Sequence, residues 1–245
     1  MKKEPLIAVV AMSGVFPGAT GLTEFWNNLV HKVDATIDIP KSRWSGALDW
    51  IFAKTHTSDK TYSKRACLVE HFSFSRNQYF LDDDLVESLE PFYQWILFAT
   101  DDAIKQCRIS SIDKKRIGAV IAAIALPTAA SSTLARQISG SRLLNAMIPG
   151  TQFPLELSSN KTKGCRVVSA PASLIAKAFG FGGGTYTLDA ACASSIYAVK
   201  LACNELQAFR ADTMITGGVS EFASIDRTTS KICLSVYSSC PRYCL

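Results

Sequence analysis

Ten residues constrain this chain more than any others. Ile117 to Leu126, IGAVIAAIAL, carry no polar side chain and end at Pro127. The run is too short to cross a membrane, which takes about 20 apolar residues. It has no polar alternation, so it cannot be a strand with one wet face. It fits a strand buried on both sides, as found in parallel sheets covered by helices.

The flanking segments predict those helices. Leu22, Phe25, Trp26 and Leu29 fall on one helical face. Pro91 suits a first helical turn, and Phe92, Trp95, Ile96, Ala99 and Ala103 share a face after it. Ala129 to Ile138 reads as a short helix and residues 140 to 165 as loop. Pro171 to Phe179 predicts a helix with Leu174, Ile175, Ala178 and Phe179 inward, stopped by Gly180. Ile196, Val199, Cys203 and Leu206 mark another amphipathic face. Further strands are expected at Leu6 to Ala11, buried on both faces and followed by the loop SGVFPGATG, within GGGTYTLDA, and at Thr213 to Gly217. Residues 34 to 66 are polar and irregular. Strands alternating with helices imply an α/β fold with a mostly parallel sheet and helices on both faces. The closing stretch RTTSKICLSVYSSCPRYCL shows no clear periodicity.

Composition narrows the class. Of 245 residues, 48% are hydrophobic and 19% charged, a globular balance. MKKEPLIAVVAM imitates a secretory leader, but its apolar run is short and Glu4 and Pro5 interrupt it, so a buried strand is the better reading. The eight cysteines need not pair in a chain with this much apolar residue, which favours reduced thiols and a cytoplasmic setting. Cys233, Cys240 and Cys244 lack paired zinc-ligand spacing and a neighbouring histidine. RYCL lacks the cysteine fourth from the end that prenylation requires. The net charge of +5 gathers in Lys114, Lys115 and Arg116 and in Lys161, Lys163 and Arg166. Solvated loops explain both runs, and a surface for an acidic protein is the alternative. No basic stripe is interleaved with aromatics, so nucleic acid is not an expected partner, and no apolar run approaches a membrane span, so neither is a membrane.

The chemistry concentrates at LDAACASS, Leu188 to Ser195. Cys192 sits where a strand gives way to a helix. Unpaired N–H groups and the positive end of the helix dipole there favour a thiolate. Small neighbours, Ala190, Ala191, Ala193, Ser194 and Ser195, permit a sharp turn and close approach of a substrate arm. The pattern follows the logic of a nucleophile elbow with sulfur as the nucleophile. Cys203, on the apolar face of the same helix, reads as a core residue. GFGGG, Gly180 to Gly184, lacks the following Gly-Lys of a phosphate loop and reads as a tight turn. Ser131 and Ser132 have no histidine base nearby in sequence.

LDAACASSIYAVKLACNELQAFRADTMITGGVS resembles the active-site region of β-ketoacyl synthases, whose signature is D-[TA]-A-C-[SA]-S-S followed by a helix and a strand ending G-G-V. Here these are Asp189 to Ser195 and Gly217-Gly218-Val219. IAVVAMSGVFPGATGLTEFWNNL and IDIPKSRW resemble the opening of ketosynthase domains from modular polyketide synthases and polyunsaturated fatty acid synthases. The resemblance spans Pro5 to about Glu221. Two positions depart from it: Ala11 replaces the usual glycine, and EPFYQW, Glu90 to Trp95, replaces D-P-Q-Q-R.

The resemblance implies a thiolase-like fold, of which this chain represents the N-terminal half of the pseudo-duplicated domain. It implies that Cys192 takes an acyl chain from the phosphopantetheine arm of an acyl carrier protein, before decarboxylative condensation with a malonyl unit. Asp189 would support the turn. No bound cofactor is implied, and the family is usually homodimeric. The family also uses two histidines C-terminal to the cysteine. Here no histidine follows Cys192, and His31, His56 and His71 precede it in segments where the family keeps no catalytic histidine. Residues 1–222 therefore read as ketosynthase. Residues 223–245 read as an atypical tail of the sort left by a frameshift, a premature stop or a misassembled gene. A chain of this kind is expected to be unable to condense alone. The alternative is a non-catalytic fragment or association module retaining part of the fold. Polyketide and polyunsaturated fatty acid systems are not separated by these motifs.

Overall fold

A computed structural model describes residues 6–41, 52–58, 60–70, 72–74, 79–87, 89–107, 111–124, 129–148, 170–220 and 231–238. A five-stranded sheet organises them. Its strands are β1 (Ala8–Val15), β4 (Ile117–Ala123), β5 (Thr185–Leu188), β6 (Thr213–Ser220) and β7 (Lys231–Ser238). A separate antiparallel pair, β2 (Thr36–Asp38) and β3 (Arg65–Cys67), lies in the segment that reads as irregular in sequence. The helices are α1 (Leu22–Val30), α2 (Asp83–Glu87), α3 (Pro91–Gln106), α4 (Ala129–Met147), α5 (Ala170–Phe179) and α6 (Ser194–Gln207).

The order across the sheet is β1-β7-β6-β4-β5. β4 pairs in parallel with β5 and β6, while β7 runs antiparallel to both β6 and β1. Four strands therefore share one direction and β7 opposes them. β4 lies inside the sheet, and every residue from Ile117 to Ala123 is buried. Ala119 and Ile121 face one hydrophobic cluster, and Val120 and Ala122 the other. That two-sided burial is why the strand carries no polar side chain. The first cluster holds α3 and α5, with Trp95, Ile96, Ala99, Leu174 and Ile175 against the sheet. The second holds α6 through Ala198, Ala202 and Leu206.

Several expectations need correction. The first strand is not Leu6 to Ala11 buried on both faces. It runs Ala8–Val15 along the sheet edge, and its outer half leaves Val9 and Met12 about half exposed, at 50% and 49%. Ser13, expected in a loop, is instead buried in the strand and donates to Asp102 Oδ2 of α3 at 2.6 Å. α1 forms where its spacing predicts, but buries none of its residues. Phe25 stacks on Phe16 at 4.0 Å, while Trp26 remains 65% exposed. α4 continues through residues 140–147 in place of the expected loop.

The face of α6 is also different. Ser194, Ala198, Ala202 and Leu206, one every fourth residue, are buried, and Ile196 is 75% exposed. The sheet surface beneath is tightly approached: a Cβ on Gly218 would sit 3.2 Å from Ser195 Cβ. Finally, part of the closing stretch that lacks periodicity is β7. It is hydrogen-bonded to β1 on one side and β6 on the other. Its place comes from backbone pairing with distant strands, which leaves no periodic mark of its own in the sequence.

Candidate active site

β5 ends at Leu188, and the chain then makes a single 3-10 turn, Ala191–Ala193, before α6 begins at Ser194. Cys192 is the middle residue of that turn rather than the first residue of the helix. Its thiol is exposed, whereas Cys203 on α6 is half-buried. The turn is compact because Ala191 adopts the left-handed region, φ +50°. L-residues avoid that region because Cβ crowds the following carbonyl.

Polar side chains at both ends of the turn hold this conformation. Asp189 Oδ1 accepts the Ala191 N–H at 2.9 Å. Ser194 Oγ accepts the Ala190 N–H at 2.7 Å and donates to the Ala191 carbonyl at 2.7 Å. Asp189 thus supports the turn as expected. The sequence reading values Ser194 only for its small size and misses its hydroxyl as a functional group. The signal for it is a hydroxyl two residues after the cysteine, next to a helix start, where serine commonly bonds nearby backbone. No acceptor among the described residues takes the backbone N–H of Cys192.

β5 is positioned by the glycine turn before it. Gly180 ends α5 at φ +72°, and Gly183 donates to the Ile117 carbonyl at 2.9 Å. α5 docks on β5 in part through the Ala172 N–H, which donates to Thr187 Oγ1 at 3.2 Å. GFGGG is therefore the tight turn its sequence suggests.

The other candidate residues lie elsewhere. His31 follows α1, and its Nδ1 lies 2.8 Å from the Asn27 carbonyl oxygen. α1 packs on β1, the edge opposite β5 and about 19 Å from it at four strand spacings. His56 is exposed in a loop. His71, Lys161, Lys163, Arg166, Cys240 and Cys244 lie outside the described residues. Ser131 and Ser132 fall within α4, and Cys233 within β7. Among the described residues no group of His, Cys, Asp or Glu could hold a metal ion, and no helix is long and apolar enough to cross a membrane.

The basic run 114–116 precedes β4, at the end of the parallel strands opposite Cys192. Two of its three cations serve the fold. Arg116 makes two bonds to the Asp212 carboxylate, each 2.8 Å, and Lys114 Nζ donates to the Phe179 carbonyl at 3.0 Å. The hydrogen bond from Arg116 holds the Asp212 carboxyl below its ordinary range, with charge attraction adding to it.

An α/β sheet in this order, carrying a cysteine on an elbow after a parallel strand, defines a thiolase-like condensing-enzyme fold. The family model "Beta-ketoacyl synthase, N-terminal domain" matches residues 4–230, and the chain belongs to that family. It is 27% identical over 240 residues to the non-reducing polyketide synthase CTB1 of Cercospora nicotianae, covering 93% of this chain and 10% of that protein. It is 27% identical over 233 residues to a polyunsaturated fatty acid synthase polypeptide of Thraustochytrium sp., covering 89% of this chain and 8% of that protein. Among solved structures, the PfaC keto synthase-chain length factor superposes with a TM-score of 0.78 at 26% identity, over 95% of this chain and 29% of that one. The oxazolomycin ketosynthase domain OzmH KS7 of Streptomyces albus JA3453 superposes at 0.70 and shares the fold at 17% identity, over 96% of this chain and 42% of that one. The chain thus spans about a tenth of the length of the curated relatives and corresponds to the N-terminal region of the ketosynthases.

Proposed function

We propose that Cys192 is the acyl-accepting nucleophile of a β-ketoacyl synthase acting on chains carried by an acyl carrier protein. The observation that carries this reading is the exposed thiol on a braced left-handed elbow between β5 and α6. The Cys192 thiolate attacks the thioester carbonyl of the acyl-phosphopantetheine arm, forming a carbon–sulfur bond. The tetrahedral intermediate collapses by breaking the bond to the carrier sulfur, and the carrier thiolate takes up the proton that Cys192 lost. Among the described residues nothing accepts the Cys192 N–H, which in this reading donates to the developing oxyanion. Loss of CO₂ from a malonyl unit on a carrier then gives a carbanion that attacks the acyl-cysteine and expels the Cys192 thiolate.

Residues 1–245 carry the first half of this cycle in our reading and not the second. Decarboxylation needs positioned donors for the developing charge, each worth about 10²–10³ in rate. Among the described residues no histidine is hydrogen-bonded to Cys192. A homodimer and a cytoplasmic compartment fit the family and the reduced thiols of Cys67, Cys192 and Cys203. The second reading is a non-catalytic association module: among the described residues no histidine is bonded to Cys192.

Incubation with an acyl thioester followed by peptide mass mapping separates the two. Acylation at Cys192 well above Cys203, with no CO₂ released from a malonyl-carrier, is the expected result. Equal labelling of both cysteines overturns the nucleophile assignment. Cys192-dependent release of CO₂ overturns the half-cycle assignment.

A further inference from the structure

Ser194 is 4% exposed and makes two 2.7 Å bonds with its hydroxyl, both to the dipeptide that precedes Cys192. The Ala191 carbonyl also accepts the backbone N–H of Ser194. Around Ala191, then, the N–H is held by Asp189 and the carbonyl by Ser194. The preceding amide is held by Ser194 as well. Bonds on both sides of a single Cα fix its two backbone dihedrals together. Neither carboxylate nor hydroxyl does so alone, because Asp189 fixes only the amide before Cα.

The conformation being fixed is one an alanine resists. A free L-residue prefers the right-handed region over the left-handed one by roughly 5–30-fold. Relaxation of Ala191 would rotate the peptide that leads into Cys192 and turn the thiol away from the elbow's outer surface. We propose that Ser194 is a positioning residue for Cys192: its buried hydroxyl clasps the 190–191 dipeptide and keeps Ala191 left-handed, which aims the thiol outward. This rests on the assignment of Cys192 as the nucleophile. It predicts a specific rescue, because glycine at position 191 adopts the left-handed region without a Cβ penalty.

The test measures iodoacetamide alkylation rates at Cys192 and Cys203 by peptide mapping in the full 245-residue chain. Four proteins are compared: the natural sequence, Ser194→Ala, Ala191→Gly and the double variant. Ser194→Ala is expected to slow Cys192 by about 5–30-fold while Cys203 keeps its rate. The double variant is expected to recover most of the loss. A natural rate at Cys192 in Ser194→Ala, equal slowing of both cysteines, or a double variant no faster than the single overturns the proposal. If Ser194→Ala loses its folded circular-dichroism signal, recovery of that signal in the double variant supports the clasp. Unfolding of both variants overturns it. A parallel acyl-thioester incubation of the natural chain keeps the two claims apart. Failure of Cys192 to acylate there overturns the nucleophile assignment, while the alkylation series still decides whether Ser194 orients the thiol.

Discussion

The glycine turn before β5 offers a quantitative test, because its glycines are there for different reasons. A Cβ built on Gly183 would lie 2.6 Å from the Ile117 carbonyl oxygen, 2.7 Å from its carbon and 2.8 Å from the Gly118 nitrogen. All three are backbone atoms of a fully buried strand, so no side chain can swing aside. Gly183→Ala must push the turn off β4 and lengthen the Gly183 N–H to Ile117 carbonyl bond of 2.9 Å. Forcing a methyl into packed interior costs typically about 1–3 kcal/mol. Losing the hydrogen bond adds about 0.5–1.5 kcal/mol. The expected cost is therefore about 2–4 kcal/mol, a large part of a domain's ~5–15 kcal/mol. Gly184→Ala meets nothing closer than Glu205 Oε2 at 4.0 Å. It should stay within about 0.5 kcal/mol of the natural protein, the usual range for substitutions away from special features. A Cβ on Gly180 would meet only ordinary contacts, Lys114 Cδ and Nζ at 3.8 Å, but φ there is +72°, so Gly180→Ala should cost about 1–2 kcal/mol through backbone strain. Urea unfolding followed by circular dichroism reads the series, and with a slope of about 2 kcal/mol/M the Gly183 midpoint should fall by about 1–2 M. The reasoning fails if Gly183→Ala matches the natural protein, or if Gly184→Ala is as damaging as Gly183→Ala.

Leu206→Ala should cost about 2–5 kcal/mol, since Leu206 is fully buried beside Ala202 and Met214. Ile196→Ala on the same helix should change stability by less than about 0.5 kcal/mol, and equal losses in urea unfolding would show that the assigned face of α6 is wrong. Burial, with Asp101 adding to it, pushes the Tyr79 phenol up to about 12. Because the folded value lies above the unfolded one of about 10, the associated stability is complete below pH ~10 and is lost as pH rises toward 12. A near-ultraviolet absorbance titration should show a late tyrosine step that Tyr79→Phe removes, and superimposable curves would refute it.

Features carried by short stretches of chain were legible without coordinates. The absence of polar residues from 117 to 123 sufficed for a doubly buried strand, because burial on both faces disfavours polar side chains wherever that strand sits in the sheet. Pro91 and Gly180 marked their helix ends through restrictions local to one residue. Cys192 stood out because it falls at a strand-to-helix turn among small neighbours, and those are written beside it. What the tertiary structure decided was which surfaces meet. The period of α1 marked an apolar face, but only its place at the edge of the sheet left Trp26 exposed. The period of α6 pointed to Ile196, yet Ser194, Ala198 and Ala202 are the residues buried with Leu206, since closeness between distant segments leaves no local pattern. β7 became an interior strand through partners more than two hundred residues earlier in β1. Ser194, an unremarked serine in sequence, became the clasp because the fold buries it with its hydroxyl on the Ala190 N–H and the Ala191 carbonyl.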